Sequence, residues 1–149
     1  LKKDFAVILM SEIQLNMKNT KDDNIPIAQP QIPDIRVWAG VINAADHFLG
    51  CDSVGQHIAK ALDTQSTVVI GSTYPINTSY VDDKSVTIFD IVKDMRVYSP
   101  IRITNEEEPD RVNEKCMDLS KAQTKDIVDS IRKKLGKPNK TLLSVGGSK

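Results

Sequence analysis

Short runs of apolar residues alternate along the chain with patterns of helical spacing, and three of these runs predict β-strands. They lie at 47–51, 66–70 and 86–89 and consist mainly of apolar, β-branched or aromatic residues. The run at 66–70 is mostly β-branched, which is typical of a strand buried on both faces of a sheet. We expect the run at 47–51 to be a short buried strand as well.

Three other segments have the spacing of amphipathic helices. Asp34 can cap a helix over 36–45, a second helix runs through 58–62, and Ser120 can cap a long helix over 119–135. The expected inward stripes are Val37, Trp38, Val41 and Ile42 in the first helix and Ile127, Val128, Ile131 and Leu135 in the last.

The first 33 residues have a weaker pattern. Apolar residues at helical spacing predict a helix over 1–10, although 5–10 also fits a buried strand. Alternation over 12–17 favours a short strand, and three prolines make 18–33 a long connecting loop.

The succession of strand, helix and strand with short loops is the βαβ unit, whose parallel strands need a crossover helix. We therefore predict an α/β fold, with a Rossmann-like parallel sheet flanked by helices. A chain of 149 residues with 40% apolar side chains can bury one ordinary core. We expect that single domain to span 1–136 and a flexible tail to follow over 137–149.

Charge and cysteine content narrow the possible partners and compartments. Twenty basic and twenty acidic residues cancel, so no nucleic-acid partner is expected. Cys51 and Cys116 are the two cysteines, and we expect Cys51 to be a small buried side chain, with no disulfide framework and no zinc site. A reducing, cytoplasmic location follows, and no apolar run is long enough for a transmembrane segment. Acidic residues at 105–110 predict a solvated loop rather than a metal site.

The sequence GCDSVGQH at 50–57 contains the densest group of reactive side chains in the chain. It follows a predicted strand and precedes a predicted helix, which is where ligands bind at the carboxyl edge of an α/β sheet. Ser53 and Gln56 fit the capping box, in which each side chain would bond the other residue's backbone N–H. The N–H groups of Val54 and Gly55 would then point outward and, with the helix dipole, attract a phosphate.

A second interpretation of the same residues is that they only begin a helix. Capping boxes are common, Asp52 would then add a favourable charge near the helix dipole, and His57 would be a surface side chain. Tyr74 and Tyr80 flank the possible cleft, but a loop tyrosine more often covers the edge of a core, and neither is assigned to the site.

The run ADHFLGCDSVGQHIAKAL at 45–62 resembles the signature A-D-x-F-x-G-x-D-[ST]-G-x-x-H-x-A-x-A-L of glycosyltransferase family 9, the ADP-heptose:lipopolysaccharide heptosyltransferases. The run TVVIGSTYP at 67–75 is similar to the family's strand that ends in F-G-x-T-x-P. Val54 stands where the family signature has glycine, and a glycine follows one position later. The resemblance extends over most of the chain, from about 12 to 135, with the flanking segments matching in hydrophobic pattern.

The resemblance implies the C-terminal, donor-binding half of a two-domain, metal-independent glycosyltransferase of the GT-B type. Its partners would be a nucleotide-sugar donor, ADP-heptose or similar, and a glycan or glycolipid acceptor in surface-glycan or lipopolysaccharide synthesis, without a cofactor. The substrate-binding residues carried over by position are Asp52, Ser53, Val54, Gly55 and Thr73. The catalytic residue would be His57, donating a hydrogen bond to the diphosphate or a sugar hydroxyl rather than acting as general base.

The resemblance leaves open how the chain functions, because the family's acceptor site and catalytic carboxylate belong to an N-terminal half. The chain begins with Leu1 rather than Met, and we expect it to be a fragment of a two-domain enzyme. The alternative is a stand-alone, non-catalytic module that binds a nucleotide or nucleotide sugar.

Overall fold

The computed structural model of the protein describes residues 5–11, 27–32, 34–93 and 118–136. These residues form a three-stranded parallel sheet of order β1-β2-β3 with helices beside it, as the α/β prediction requires. The elements in chain order are α1 (Ile35–Ala44), β1 (Phe48–Cys51), α2 (Val54–Ala61), β2 (Ser66–Ile70), α3 (Pro75–Thr78), β3 (Val86–Asp90) and α4 (Lys121–Leu135).

The central strand β2 forms the middle of the core. It pairs with β1 from Phe48↔Ser66 and with β3 from Ser66↔Val86, so both of its edges are hydrogen-bonded. Thr67, Val68 and Ile70 are completely buried, which confirms that this β-branched run is a strand covered on both faces.

The first strand is more exposed than the sequence suggested. In the described sheet β1 lies at one edge, and its side chains alternate between partly buried and exposed. Leu49 is 44% exposed and Cys51 is exposed, so the expectation of a buried strand with a buried cysteine is wrong. The reason is the position of β1 in the strand order. An edge strand that is covered on one face buries only every second side chain, whereas a central strand covered on both faces buries all of them.

Helix α1 begins where the sequence predicted. The Asp34 side chain accepts a hydrogen bond of 2.7 Å from the N–H of Arg36 and caps the helix. Ile42 is the buried residue of this helix, whereas Val37 is 51% exposed. The predicted stripe is therefore wrong at Val37, because the helix buries only a narrow face in its contact with α2.

Helix α2 crosses over from β1 to β2 and packs on one face of the sheet. Its Gly55 lies against the ring of Phe48, whose side chain lies on the same face as that of Ser66. Ala59 is completely buried, and the Thr64 hydroxyl after the helix donates to the Ile42 carbonyl at 3.3 Å. Helix α1 is thereby joined to the βαβ unit.

Helix α4 confirms the prediction for the last helix. Ser120 and Gln123 form a complete capping box, and the Gln123 amide also donates to the Ile91 carbonyl at 2.8 Å, just beyond β3. Ile127 and Ile131 are buried. Lys134, in the last turn, lies close enough to His47 for its charge to lower the pKa of that side chain.

The beginning of the chain differs from its main prediction. Residues 5–11 are not helical, and Ile8 forms an isolated parallel bridge with Ala28. The alternative of an extended segment is closer to the structure. The strand predicted over 12–17, the acidic loop over 105–110, Cys116 and the tail over 137–149 lie outside the described residues.

None of the helices in the four described ranges is long and apolar enough to cross a membrane.

His47 immediately precedes β1 and is partly buried. Its Nε2 atom shares a hydrogen bond of 2.9 Å with the Thr67 hydroxyl, while Nδ1 is buried without a partner among the described residues. Burial, together with the charge of Lys134, lowers the pKa of His47 to about 4. The folded protein therefore favours the neutral imidazole.

We predict that Ile42→Ala lowers the free energy of unfolding by about 2–5 kcal/mol, because it removes a side chain that is 2% exposed and leaves a cavity. The matched control in the same helix is Ile35→Ala, at a side chain that is 59% exposed, with an expected change within about 0.5 kcal/mol. Urea denaturation measures both. Equal losses would contradict the packing of α1.

We predict that the free energy of unfolding falls as pH decreases from about 6.5 to about 4. The folded-state pKa of His47 is about 4, below the ordinary 6.5, so between these values the unfolded chain binds a proton that the folded chain does not. Urea denaturation at several pH values should show this loss shrinking in His47→Gln and persisting in the control His57→Gln. Parallel profiles for the wild type and His47→Gln would rule out this role of His47.

Candidate ligand site at the carboxyl edge of the sheet

The loops after β1 and β2 meet at one edge of the sheet, because parallel neighbouring strands end on the same side. All of the predicted site residues lie at this edge. We call them the carboxyl-edge site: Asp52, Ser53, Val54, Gly55, His57 and Thr73. Its position at the carboxyl ends of the strands, rather than at their amino ends, is the one that ligand binding in an α/β sheet requires.

The start of α2 differs from the predicted capping box. Ser53 is the N-cap residue with an extended backbone, but its hydroxyl makes no capping hydrogen bond. The Gln56 N–H bonds the Ser53 carbonyl instead, at 3.1 Å, and the Ser53 N–H bonds the Cys51 carbonyl at 2.9 Å. The capping-box prediction is therefore wrong, and the exposed Ser53 hydroxyl remains available to a ligand.

The two N–H groups expected to point outward differ in accessibility. Neither Val54 nor Gly55 donates a backbone hydrogen bond within the described part of the chain, as the geometry of a first helical turn predicts. Val54 is exposed, whereas Gly55 is buried. A Cβ at Gly55 would lie 2.6 Å from the Cζ of Phe48, so this glycine makes room for an aromatic ring rather than for an approaching anion.

Asp52 and Thr73 are in direct contact, although 21 positions separate them in the sequence. The Thr73 hydroxyl donates a hydrogen bond to the Asp52 carboxylate, and both residues are partly buried. The contact joins the loop after β1 to the loop after β2. It also leaves one Asp52 oxygen free of any hydrogen bond to another described residue.

His57 lies one turn after Ser53 on α2, and its side chain is exposed. Its Nδ1 atom shares a hydrogen bond of 2.9 Å with the Tyr80 hydroxyl, and the two rings meet edge to face at a centroid distance of 5.7 Å. Because Nδ1 is engaged, Nε2 is the ring nitrogen that can face a ligand. Tyr80, which we did not assign to the site from sequence, therefore contacts the predicted catalytic histidine.

Gln56 is 1% exposed, and both ends of its side-chain amide are hydrogen-bonded. Its Nε2 donates to the Thr78 carbonyl at 2.8 Å, and its Oε1 accepts from the Ser79 hydroxyl at 2.9 Å. The sequence assigned this residue only to the helix cap. Its hydrogen-bond partners lie 22 and 23 residues away, and the spacing of nearby residues does not predict contacts at that distance.

Lys60 forms an ion pair with Asp83 at 2.6 Å. The hydrogen bond to Asp83 raises the pKa of the Lys60 ammonium, and the same bond, with two more from Ser85, holds the pKa of the Asp83 carboxyl below its ordinary value. Because both side chains are near the surface, the pair adds little to stability. The pair does engage Lys60, which is the lysine of α2.

An open depression of about 430 Å³ adjoins Tyr80. It is lined by Ile76, Ser79, Tyr80, Val81, Asp82 and Asp83.

The structure brings Asp52, Ser53, Val54, His57 and Thr73 to one edge and places Gly55 beneath Phe48.

Comparison of the chain with protein-family models, with curated proteins and with solved structures gave no match. The function must therefore be inferred from this edge and from the sequence resemblance.

We predict that Ser53→Ala changes the free energy of unfolding by less than about 0.5 kcal/mol, because no capping hydrogen bond is lost. The matched control is Ser120→Ala, which breaks the capping box of α4 and should lower stability by about 1 kcal/mol. Urea denaturation of both variants decides the point. A loss at Ser53 as large as that at Ser120 would show that the Ser53 hydroxyl does cap α2.

Proposed function

We propose that the carboxyl-edge site binds the diphosphate of a nucleotide sugar, and that the chain is the donor-binding half of a metal-independent glycosyltransferase. The observation that supports this most is the start of α2, where the Ser53 hydroxyl and the Val54 N–H form no hydrogen bond to another described residue and are exposed at the carboxyl edge of the sheet. A helix N-terminus carries a partial positive charge and binds phosphate through such groups.

The charges around the site favour recognition of the diphosphate by uncharged hydrogen-bond donors. Lys60 is paired with Asp83, so the Val54 N–H, the helix dipole and hydroxyls would hold the anion. An ionised Asp52 would repel a phosphate at short range. The free carboxylate oxygen of Asp52 is better suited to accept hydrogen bonds from sugar hydroxyls, with Thr73 fixing its orientation.

The class of transferase follows from the sequence resemblance to glycosyltransferase family 9. On this proposal the sheet is the C-terminal Rossmann-like half of a GT-B enzyme, and the donor is ADP-heptose or a similar nucleotide sugar. The acceptor is a glycan or glycolipid in a cytoplasmic step of surface-glycan or lipopolysaccharide synthesis. The resemblance assigns the acceptor and the catalytic carboxylate to the other half of such an enzyme.

The geometry suggests how this half would assist transfer. When the bond between the sugar and the diphosphate breaks, negative charge develops on the departing diphosphate. Fixed N–H donors aimed at that charge stabilise the transition state without reorganising, and losing one typically costs about 3 kcal/mol. His57, with Nδ1 engaged by Tyr80, would donate a further hydrogen bond from Nε2.

We predict that Val54→Pro weakens nucleotide-sugar binding roughly 10- to 100-fold, because it removes one N–H donor to a charged group. Proline is tolerated at the first position of a helix, and Ser53 already has the extended backbone that a residue before proline requires (φ −139°, ψ 176°). Isothermal titration calorimetry with ADP-heptose, ADP-glucose, UDP-glucose and GDP-mannose measures the affinity.

The matched control is Lys121→Pro, which makes the same change at the first position of α4, also preceded by an extended serine. It should leave donor affinity unchanged. If none of the four nucleotide sugars binds the wild type at millimolar concentration, the proposal fails. Binding that both proline variants weaken equally would place the site elsewhere.

A further inference from the structure

We infer that Gln56 is a positioning residue of the carboxyl-edge site. Its buried amide fixes the connection between β2 and β3, residues 71–85, against α2, and so holds Thr73 and Tyr80 beside Asp52 and His57. The effect on a ligand rests on the proposed function, while the effect on the connection can be measured without any ligand.

The geometry of the amide supports this role. Gln56 is 1% exposed, its Nε2 donates to the Thr78 carbonyl, and its Oε1 accepts from the Ser79 hydroxyl. The Thr78 carbonyl fixes the orientation of the amide, since turning it over would put the amide oxygen against the carbonyl oxygen, acceptor against acceptor. The two hydrogen bonds therefore fix the position of the chain at 78–79 relative to the first turn of α2.

Apolar packing holds this part of the connection only weakly. The short helix α3 has no buried residue, and Ile76 within it is 71% exposed. Segments with little buried apolar surface open locally at low free energy. Polar contacts to α2 must therefore supply much of its attachment, and the solvent-accessible contacts of His57 and Lys60 contribute less because water competes for them.

The groups that Gln56 would position lie on either side of its two partners. Thr73 precedes them and bonds Asp52, and the Thr78 hydroxyl lies 3.4 Å from that of Thr73. Tyr80 follows them directly and bonds His57. If the connection moves away from α2, both of these contacts are lost together, and with them the orientation of Asp52 and His57.

Gln56→Glu in the full chain tests the inference, because it keeps the oxygen that accepts from Ser79 and replaces the nitrogen that donates to Thr78. At alkaline pH, where the introduced carboxyl is ionised despite its burial, amide hydrogen exchange over 73–80 should accelerate roughly tenfold relative to exchange over 66–70. The affinity for the nucleotide sugar that the wild type binds best should fall by a similar factor. As the pH falls, the introduced carboxyl, whose pKa burial raises, becomes protonated and can donate to Thr78, so both effects should diminish.

The matched control is Gln123→Glu, which makes the same exchange of atoms at the first turn of α4, where the amide donates to the Ile91 carbonyl. It should leave exchange over 73–80 and donor affinity unchanged. If Gln56→Glu does not fold, Ser79→Ala removes the other hydrogen bond and should act in the same direction.

The outcomes separate this inference from the proposed function. If the wild type binds no nucleotide sugar, the proposed function fails, and the exchange measurement still decides whether Gln56 holds the connection. If the wild type binds and the Gln56→Glu variant loosens 73–80 without losing affinity, the positioning role is overturned and the proposed function stands. Unchanged exchange over 73–80 in a folded Gln56→Glu variant also overturns it.

Discussion

The hydrogen bonding of β2 on both of its edges is the constraint on which the site depends. Parallel pairing with β1 on one side and β3 on the other makes all three strands end at the same edge. The loops that follow β1 and β2 must then open side by side, so Asp52 meets Thr73 and His57 meets Tyr80. The complete burial of Thr67 and Val68 keeps this pairing away from water. A surface assembled from distant segments is in this way supported by the least accessible part of the molecule.

Features that depend on nearby residues were predictable from the sequence. The β-branched run at 66–70 indicates a central strand because burial on both faces selects such residues, and Asp34 and Ser120 mark helix starts because their side chains bond the first-turn N–H groups. The βαβ order predicted the parallel sheet. That topology also predicted that Thr73 would lie near the residues after β1, although it did not predict the direct hydrogen bond to Asp52.

Features that depend on spatial neighbours were not predictable. The pattern Ser-x-x-Gln begins both α2, at 53–56, and α4, at 120–123, but of these two only the second forms a capping box. At 53–56, the Gln56 side chain bonds the Thr78 carbonyl and the Ser79 hydroxyl instead of the Ser53 N–H. The four residues of the pattern do not indicate these distant partners. The exposure of Leu49 and Cys51 likewise follows from the place of β1 at the edge of the described sheet, which strand order decides.

The ring of Phe48 occupies the space above two glycines, and a methyl group at either Gly50 or Gly55 would lie 2.6 Å from its Cζ. Sequence change at these three positions is consequently interdependent. A side chain can enter at 50 or 55 only if the Phe48 ring shifts or a smaller residue replaces it, so a substitution at either glycine must be accommodated at Phe48. The spacing of aromatic, glycine and glycine at 48, 50 and 55 is thus set by side-chain volume and does not depend on whether the chain binds a ligand.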